Sequence, residues 1–441
     1  MKEAFELCPL DGRYFDIKDE LSSFFSEYAY MKYRIFVEIK WLIYLIEKKF
    51  ITGDTLKVFS IFETFNINSY KIIKEKEKIT NHDVKAIEYF IDDELKKLKL
   101  SELISFVHFG LTSEDINNTA YALMIKDFLN QTYFPKIEEL VLYLKTISKS
   151  NRNTVMLAHT HGQAASPTTV GKEIRVYIYR IEEELKRLKK IQIKAKFNGA
   201  TGNYSAIKVA YPNINVKKLM NDFIVQLHLT FNPLTTQIEN HDYIVTILDT
   251  IRHINNILID LDLDMWLYIS YGYFKLKVIE KEIGSSTMPH KVNPINFENS
   301  ESNLETSNGL LVTLSNKLPK SRMQRDLSDS SSLRNLGISF GYSIQGIKET
   351  LKGLKRVSVN KEVIQKELDD NWEVLAEPIQ TMLRKYNIQD AYEQLKELTR
   401  GKKITKEVLH KFINSLDISE IDKSILLDLT PRNYIGIANK L

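Results

Sequence analysis

The longest regular pattern in the chain runs from Asp242 to Tyr271, where Ile244, Ile247, Leu248, Ile251, Ile254, Leu258, Leu261, Met265 and Tyr268 recur at helical steps. Apolar residues spaced this way share one face of a helix, so the segment predicts a single amphipathic helix. Roughly thirty residues rising about 1.5 Å each extend about 45 Å, which is the length of a bundle helix. The same period predicts helices from Glu114 to Asn130, Pro135 to Ser150, Pro167 to Lys194 and Pro294 to Leu314. The last two place proline first after Ser166 or Asn293, the order of cap and first helical residue at a helix start. Strand-like alternation is scarce. The pattern predicts an all-α fold with long central helices, divided where Gly110 and Gly353 interrupt the helical patterns into 1–110, 111–353 and 354–441.

Composition narrows the classes of function. Lys+Arg 61 against Asp+Glu 57 leaves +4, too slight an excess to point to nucleic acid. The lysine runs, such as 71–78 and 186–190, read as solvated helix faces. No apolar run reaches the roughly 18 residues of a membrane span. The first residues lack a basic and apolar leader, and a lone Cys8 cannot form an intrachain disulfide framework. A cytoplasmic protein is the expectation. His159 and His161 lie two apart and His241 stands beside Asp242, but neither spacing matches a strong zinc pattern, so no metal is expected. Nor is there a phosphate-cradling glycine loop or a dinucleotide fingerprint, so no cofactor is expected.

The candidate chemistry sits in polar breaks between the helical patterns. In Gly284-Ser285-Ser286-Thr287-Met288-Pro289-His290-Lys291-Val292-Asn293-Pro294, hydroxyls, a cation and an amide precede a helix start. The bare N–H groups and positive dipole end of that helix suit an anion. His161, in Thr160-His161-Gly162-Gln163, is a candidate proton-transfer group. Thr112 to Asp115 reads as a capping box, and Thr112 and Ser113 with free helix N–H groups equally form an anion cradle. Asn81, His82 and Asp83 form a polar break that also reads as a turn, as does Asp11-Gly12-Arg13-Tyr14. Arg325, Ser330 and Arg334 fall in SRMQRDLSDSSSLR, and Gln237 in TTQIE. Glu298, early in the helix after Pro294, is placed to favour the dipole.

These motifs carry a resemblance. GSSTMPHKVNP resembles the signature loop of the fumarase, aspartase and argininosuccinate lyase superfamily, and with DGRY, NHD, THGQ and SSSLR the chain looks most like the bacterial adenylosuccinate lyase family. The segment NWEVLAEPIQ, 371–380, extends the likeness to the C-terminal region. The resemblance implies three helical domains around a long-helix bundle, and a homotetramer whose active sites are shared between subunits. It implies β-elimination of fumarate from two purine nucleotide substrates: adenylosuccinate, giving AMP, and the succinyl-carboxamide imidazole ribotide SAICAR, giving AICAR.

It further implies roles. Ser285 is the general base, with the adjacent Ser286, identical in type, its competitor for that role and a substrate contact; His161 is the general acid, oriented by Glu298. Lys291 and Asn293 stabilise the aci-carboxylate intermediate. Arg13, Tyr14, Ser330 and Arg334 are placed at the phosphate, Thr112 and Ser113 at the carboxylate. Asn81, His82, Asp83, Gln237 and Arg325 complete the substrate contacts. Ala164 departs from the proline common after THGQ, which leaves that loop's geometry open. A sibling lyase acting on argininosuccinate, aspartate or malate stays an alternative, as does a non-catalytic protein on the same scaffold.

Overall fold

The apolar period at Asp242 forms one continuous helix of 29 residues, Asp242–Ser270, in a computed structural model that describes residues 6–278, 288, 291–390, 393, 395, 396 and 404–441. Ile244, Ile247, Leu248, Ile251, Ile254, Leu258, Leu261 and Met265 are all buried, so the stripe read from the sequence is the packed face.

In chain order the first helices are α1 (Phe15–Phe25), α2 (Glu27–Glu47), α3 (Thr55–Glu63), α4 (Ile67–Thr80), α5 (Asp83–Lys97) and α6 (Ser113–Phe128). There follow α7 (Phe134–Ser150), α8 (Val170–Lys189), α9 (Ser205–Ala210), α10 (Val216–Gln226), α11 (Asp242–Ser270) and α12 (Ile295–Lys317). The described helices end with α13 (Ser328–Leu333), α14 (Leu336–Lys355), α15 (Lys361–Asp370), α16 (Ala376–Lys385), α17 (Lys406–Asn414) and α18 (Glu420–Leu427). Strands are short and paired: β1 (Val155–Thr160) with β2 (Gln163–Thr169) antiparallel, β3 (Lys194–Ala195) with β4 (Thr230–Phe231) parallel, and β5 (Phe274–Leu276) with β6 (Val357–Val359) antiparallel. The all-α reading holds, with these pairs as appendages.

The chain groups into two compact units. The first comprises Met1–Ile137, Glu184–Asn256 and Ser302–Ile347. Two of its first helices begin at side-chain caps: Ser26 accepts from Ala29 N–H at 3.1 Å, and Asp54 accepts from the N–H groups of Leu56 and Lys57. Helix α2 packs Met31, Ile35, Ile39 and Leu42 against Val58 and Ile61 of α3, Ile73 of α4 and Ile87, Phe90, Ile91 and Leu95 of α5. Elsewhere in this unit polar side chains join α11, α12 and α14: Asn255 donates to Ser307 and Asn308 and accepts from Ser343, all buried.

The second unit comprises Glu138–Glu183, Ile257–Glu301 and Lys348–Leu441. Within it Asp262 is buried, accepting from Thr350, which is itself hydrogen-bonded to Ser300. Burial pushes the Asp262 carboxyl well above its ordinary value. A C-terminal cluster of Leu375, Ile379, Leu383, Leu409, Ile413 and Leu426 forms a second apolar core.

Three sequence expectations need correction. Pro167 is not the first residue of a helix; it lies in β2 opposite Leu157, and α8 begins at Val170, capped by Thr169 accepting from Lys172 N–H. In a two-stranded hairpin both strands are edges, where the missing proline donor costs little. Gly353 does not separate helical segments. It lies inside α14, where a Cβ would come 2.9 Å from the Phe297 ring. The helix after Asn293 starts one residue later than read. Ile295 is its first residue, and the Pro294 carbonyl accepts from Phe297 and Glu298 N–H, so proline stands at the cap.

Candidate active site

In the first unit the candidate residues collect at helix starts. Asn81 closes α4 in the left-handed region at φ 50°, and His82 caps α5, its Nδ1 accepting from Lys85 N–H at 3.1 Å. Asp83 then opens α5 with its carboxylate turned to two arginines: Arg34 Nη2 at 2.8 Å and Arg334 Nη2 at 3.7 Å. Burial acts to raise Asp83, but the charge and hydrogen bond of Arg34 outweigh it and hold the carboxyl below its ordinary value. Arg34 is buried, donates to Asn117 at 2.8 Å and lies 3.7 Å from the centre of the Tyr30 ring. Arg334 is about half exposed and so retains donors for a ligand.

The capping box at α6 is formed. Asp115 accepts from Thr112 N–H at 2.9 Å, while the Thr112 hydroxyl accepts from Gln237 Nε2 at 3.3 Å. The same Asp115 carboxylate receives Lys196 Nζ at 2.6 Å and the N–H groups of Asn198 and Gly199, so a fully buried ion pair sets the helix start. Ser113 keeps a hydroxyl without a hydrogen-bond partner among the described residues. Next to it, Glu114 is buried against Arg325 Nη1 at 3.0 Å. Thus Asp83 is joined to Arg334, Thr112 to Gln237, and Glu114 to Arg325.

The predicted Arg13 and Tyr14 lie at the turn before α1, where Tyr14 N–H donates to Pro9 carbonyl at 2.8 Å; Arg13 is exposed. A cavity of about 280 Å³ is lined by Asp11 of that turn, Lys18, Ser22 and Arg334. Ser330 lies in the six-residue α13, its N–H bonded to Asp329 at 2.7 Å.

In the second unit, His161 is exposed at the tip of the β1–β2 hairpin, at φ 52° with Gly162 at φ 73°. Two successive positive φ values make the tight turn whose twist matches a hairpin. Lys291 and Glu298 are exposed and Asn293 is half-buried. Glu298 accepts from Trp266 Nε1 at 3.1 Å, and among the described residues no hydrogen bond joins it to His161. Ser285 and Ser286 lie outside the described residues.

The profile of a family described as Lyase matches residues 12–306, and that of one described as Adenylosuccinate lyase C-terminal matches residues 321–435. The chain is 49% identical to the adenylosuccinate lyase of Buchnera aphidicola subsp. Schizaphis graminum (strain Sg), over 99% of this chain and 97% of that one. The chain belongs to the adenylosuccinate lyase family. Members from Legionella pneumophila subsp. pneumophila (strain Philadelphia 1) and Escherichia coli (strain K12) are 48% and 45% identical, over 99% and 98% of this chain and 97% and 96% of theirs. The fold is that of a fumarate lyase from Mesorhizobium sp. BNC1, with a TM-score of 0.77 at 17% identity over 96% of both chains. It is also that of the 3-carboxy-cis,cis-muconate lactonizing enzyme from Pseudomonas putida, with a TM-score of 0.73 at 18% identity over 95% and 94% of the two chains.

Sequence reasoning missed several residues around this family's motifs. Arg34 lies within α2 and Lys196 in a short segment, neither with a motif of its own. His108, at φ 55°, bonds Glu38 Oε1 through Nδ1 at 2.6 Å; burial lowers it, but Glu38 outweighs burial and raises it above the ordinary value. Its place in HFGLTSED was the available signal. Among the described residues no cluster of histidine, cysteine, aspartate or glutamate is arranged to hold a metal.

Proposed function

We propose that the chain cleaves the C–N bond of adenylosuccinate and of SAICAR by β-elimination, releasing fumarate and leaving AMP or AICAR. The observation that carries this reading is membership of the adenylosuccinate lyase family over nearly the whole chain. The reaction removes a weakly acidic proton beside a carboxylate, so the site needs a base, an acid and fixed positive charge where the aci-carboxylate forms.

In this reading Ser285 takes the proton and His161 gives one to the departing amine. Lys291, the Asn293 amide and the start of α12 hold the developing charge, with Ser286 a substrate contact. An α12 start at Ile295 supports this, since the N–H groups of Ile295 and Asn296 precede the first intrahelical bond and have no intrahelical acceptor. Serine works as a base only if its alkoxide is stabilised, a task suited to Lys291 and loop N–H groups. Glu298 orients His161; its link to Trp266 means that it would exchange partners on doing so.

Thr112 and Ser113 hold a succinyl carboxylate, supported by Ser113's spare hydroxyl and the fixed start of α6. Arg13, Tyr14, Ser330 and Arg334 hold the phosphate, supported by the half-exposed arginine beside the cavity near Asp11. Asn81, His82, Asp83, Gln237 and Arg325 complete the pocket. No cofactor or metal takes part.

The working form is a cytoplasmic homotetramer of three-domain subunits, divided at about residues 110 and 353, with shared sites. Val176, Tyr179, Leu263, Trp266 and Leu267, large apolar side chains exposed on α8 and α11, favour burial against further copies. No described helix is long and apolar enough to cross a membrane. Fumarate release from adenylosuccinate tests the activity. Comparing Ser285→Ala with Ser286→Ala tests the base: loss confined to the first supports Ser285, and full activity of the first reassigns the role.

A further inference from the structure

His241 stands at the end of the loop that carries Gln237, immediately before α11, and is 2% exposed. Its surroundings are acidic. Nε2 lies 3.2 Å from Asp329 Oδ2, and Nδ1 lies 3.8 Å from Glu239 Oε2. Its backbone N–H donates to the same Glu239 oxygen at 2.6 Å. Glu239, Asp329 and the nearby Glu114 are all buried; Glu239 takes a further bond from Asn232 at 2.8 Å, and Glu114 takes Arg325.

Charge balance decides the state of the imidazole. Three buried carboxylates face His241 and Arg325, from the Gln237 loop, from α13 and from α6; Tyr243 of α11, also buried, is neutral. Were His241 neutral, Arg325 would be the one positive charge among the described residues set against these three carboxyl groups. Burial pulls the imidazole down, but the Asp329 hydrogen bond, then Glu239 and Glu114, outweigh it and raise it above the ordinary histidine value. Glu114 is shifted the same way: burial raises it, against the pull of His241 and Arg325.

Each carboxylate lies within two residues of a residue of the proposed pocket. Glu114 follows Ser113 and binds Arg325; Asp329 precedes Ser330 and accepts its N–H; Glu239 is two residues beyond Gln237. We propose that His241, as an imidazolium bridging Asp329 and Glu239, is a positioning residue that holds Gln237, Ser330 and the Ser113–Arg325 side of the pocket in register. It touches no substrate atom in this scheme. Its effect on turnover rests on the lyase reading above.

The test is steady-state kinetics with adenylosuccinate across pH, on the full chain and on His241→Gln, which keeps a donor toward Asp329 but no charge. The proposal expects KM to rise about tenfold or more in the variant with a smaller fall in kcat, as for loss of ground-state positioning. The wild-type KM should climb as pH passes above the imidazolium range, and the variant's should be flat. His241→Gln/Glu239→Gln, which removes the unpaired carboxylate as well, should bring KM back toward wild type. A KM for His241→Gln within about twofold of wild type at every pH would overturn the proposal. Equal loss of kcat, KM and melting temperature with no recovery in the double variant would also overturn it, as a purely structural role.

If the unmodified chain releases no fumarate, the lyase reading fails by itself. Thermal unfolding then still tests the charge hub. A raised folded pKa gives His241 a stabilising contribution that is full below about 6.5 and lost as pH rises through the folded value. A stability gap to His241→Gln that narrows with rising pH supports the hub, and a pH-independent gap contradicts it.

Discussion

Lys196 and Asp115 form an ion pair from which water is excluded: Nζ lies 2.6 Å from Oδ1, and both side chains are 0% exposed. The carboxylate also accepts three backbone N–H groups, from Thr112, Asn198 and Gly199, and the ammonium donates to the Gly199 carbonyl at 3.1 Å. A buried pair repays its desolvation only when further hydrogen bonds support it, and here the carboxylate is held by three N–H groups and the ammonium by a carbonyl. Lys196→Met strands a carboxylate in the interior, so denaturant unfolding should show a loss of about 3–5 kcal/mol. Lys196→Met/Asp115→Asn should recover part of it. A single variant as stable as wild type would show that the pair does not fix the start of α6.

Gly353 sets a helix propensity against a packing limit. Alanine in a helix interior is favoured over glycine by about 1 kcal/mol, but a Cβ here meets Cε1 and Cζ of the buried Phe297 at 2.9 Å. A rigid ring in a packed core gives little, so overpacking at about 1–3 kcal/mol wins and Gly353→Ala lowers the melting temperature. Adding Phe297→Leu should make the alanine less costly. A stabilising Gly353→Ala in the wild-type background contradicts this packing account.

Asp262 gives a pH prediction of definite sign. Its folded pKa is raised by burial, so the folded state binds a proton that the unfolded state releases, and stability falls as pH rises from the unfolded value toward the folded one. Asp262→Asn keeps the shape and removes the proton uptake. The variant should be more stable than wild type at about pH 7, with the gain shrinking on acidification. A gain that grows on acidification would reverse the assignment.

Long elements were legible and short ones were not. Helix α11 ends within one residue of the reading because its apolar stripe is continuous from Ile244 to Met265. The β1–β2 hairpin was missed because its second strand, QAASPTT, lacks large apolar residues and its turn uses His161 rather than the asparagine or glycine usual at a positive φ. Polar motifs at helix starts, from Asn81 to Asp83 and Thr112 to Asp115, were visible because caps need those residue types wherever the partners lie. Arg34, Lys196 and His241 were not, because Asp83, Asp115 and Asp329, their partners, are 49, 81 and 88 residues away, and only folding brings them together.

A shared site predicts complementation. His161→Gln should lose about 10²–10⁴ in kcat as a general-acid variant, and Arg325→Ala should lose substrate binding. If a site takes these two residues from different subunits, mixing the two variants under conditions that exchange subunits restores some complete sites. Activity of the mixture well above either parent is the expected outcome, and none above their average contradicts sharing.

A panel of candidate substrates tests the reaction itself. Fumarate release by the purified chain is measured with adenylosuccinate, SAICAR, argininosuccinate, aspartate and malate under identical conditions. The account predicts turnover of adenylosuccinate and SAICAR and none of the other three. Turnover confined to any of those three, or absence of fumarate from both purine intermediates, contradicts it.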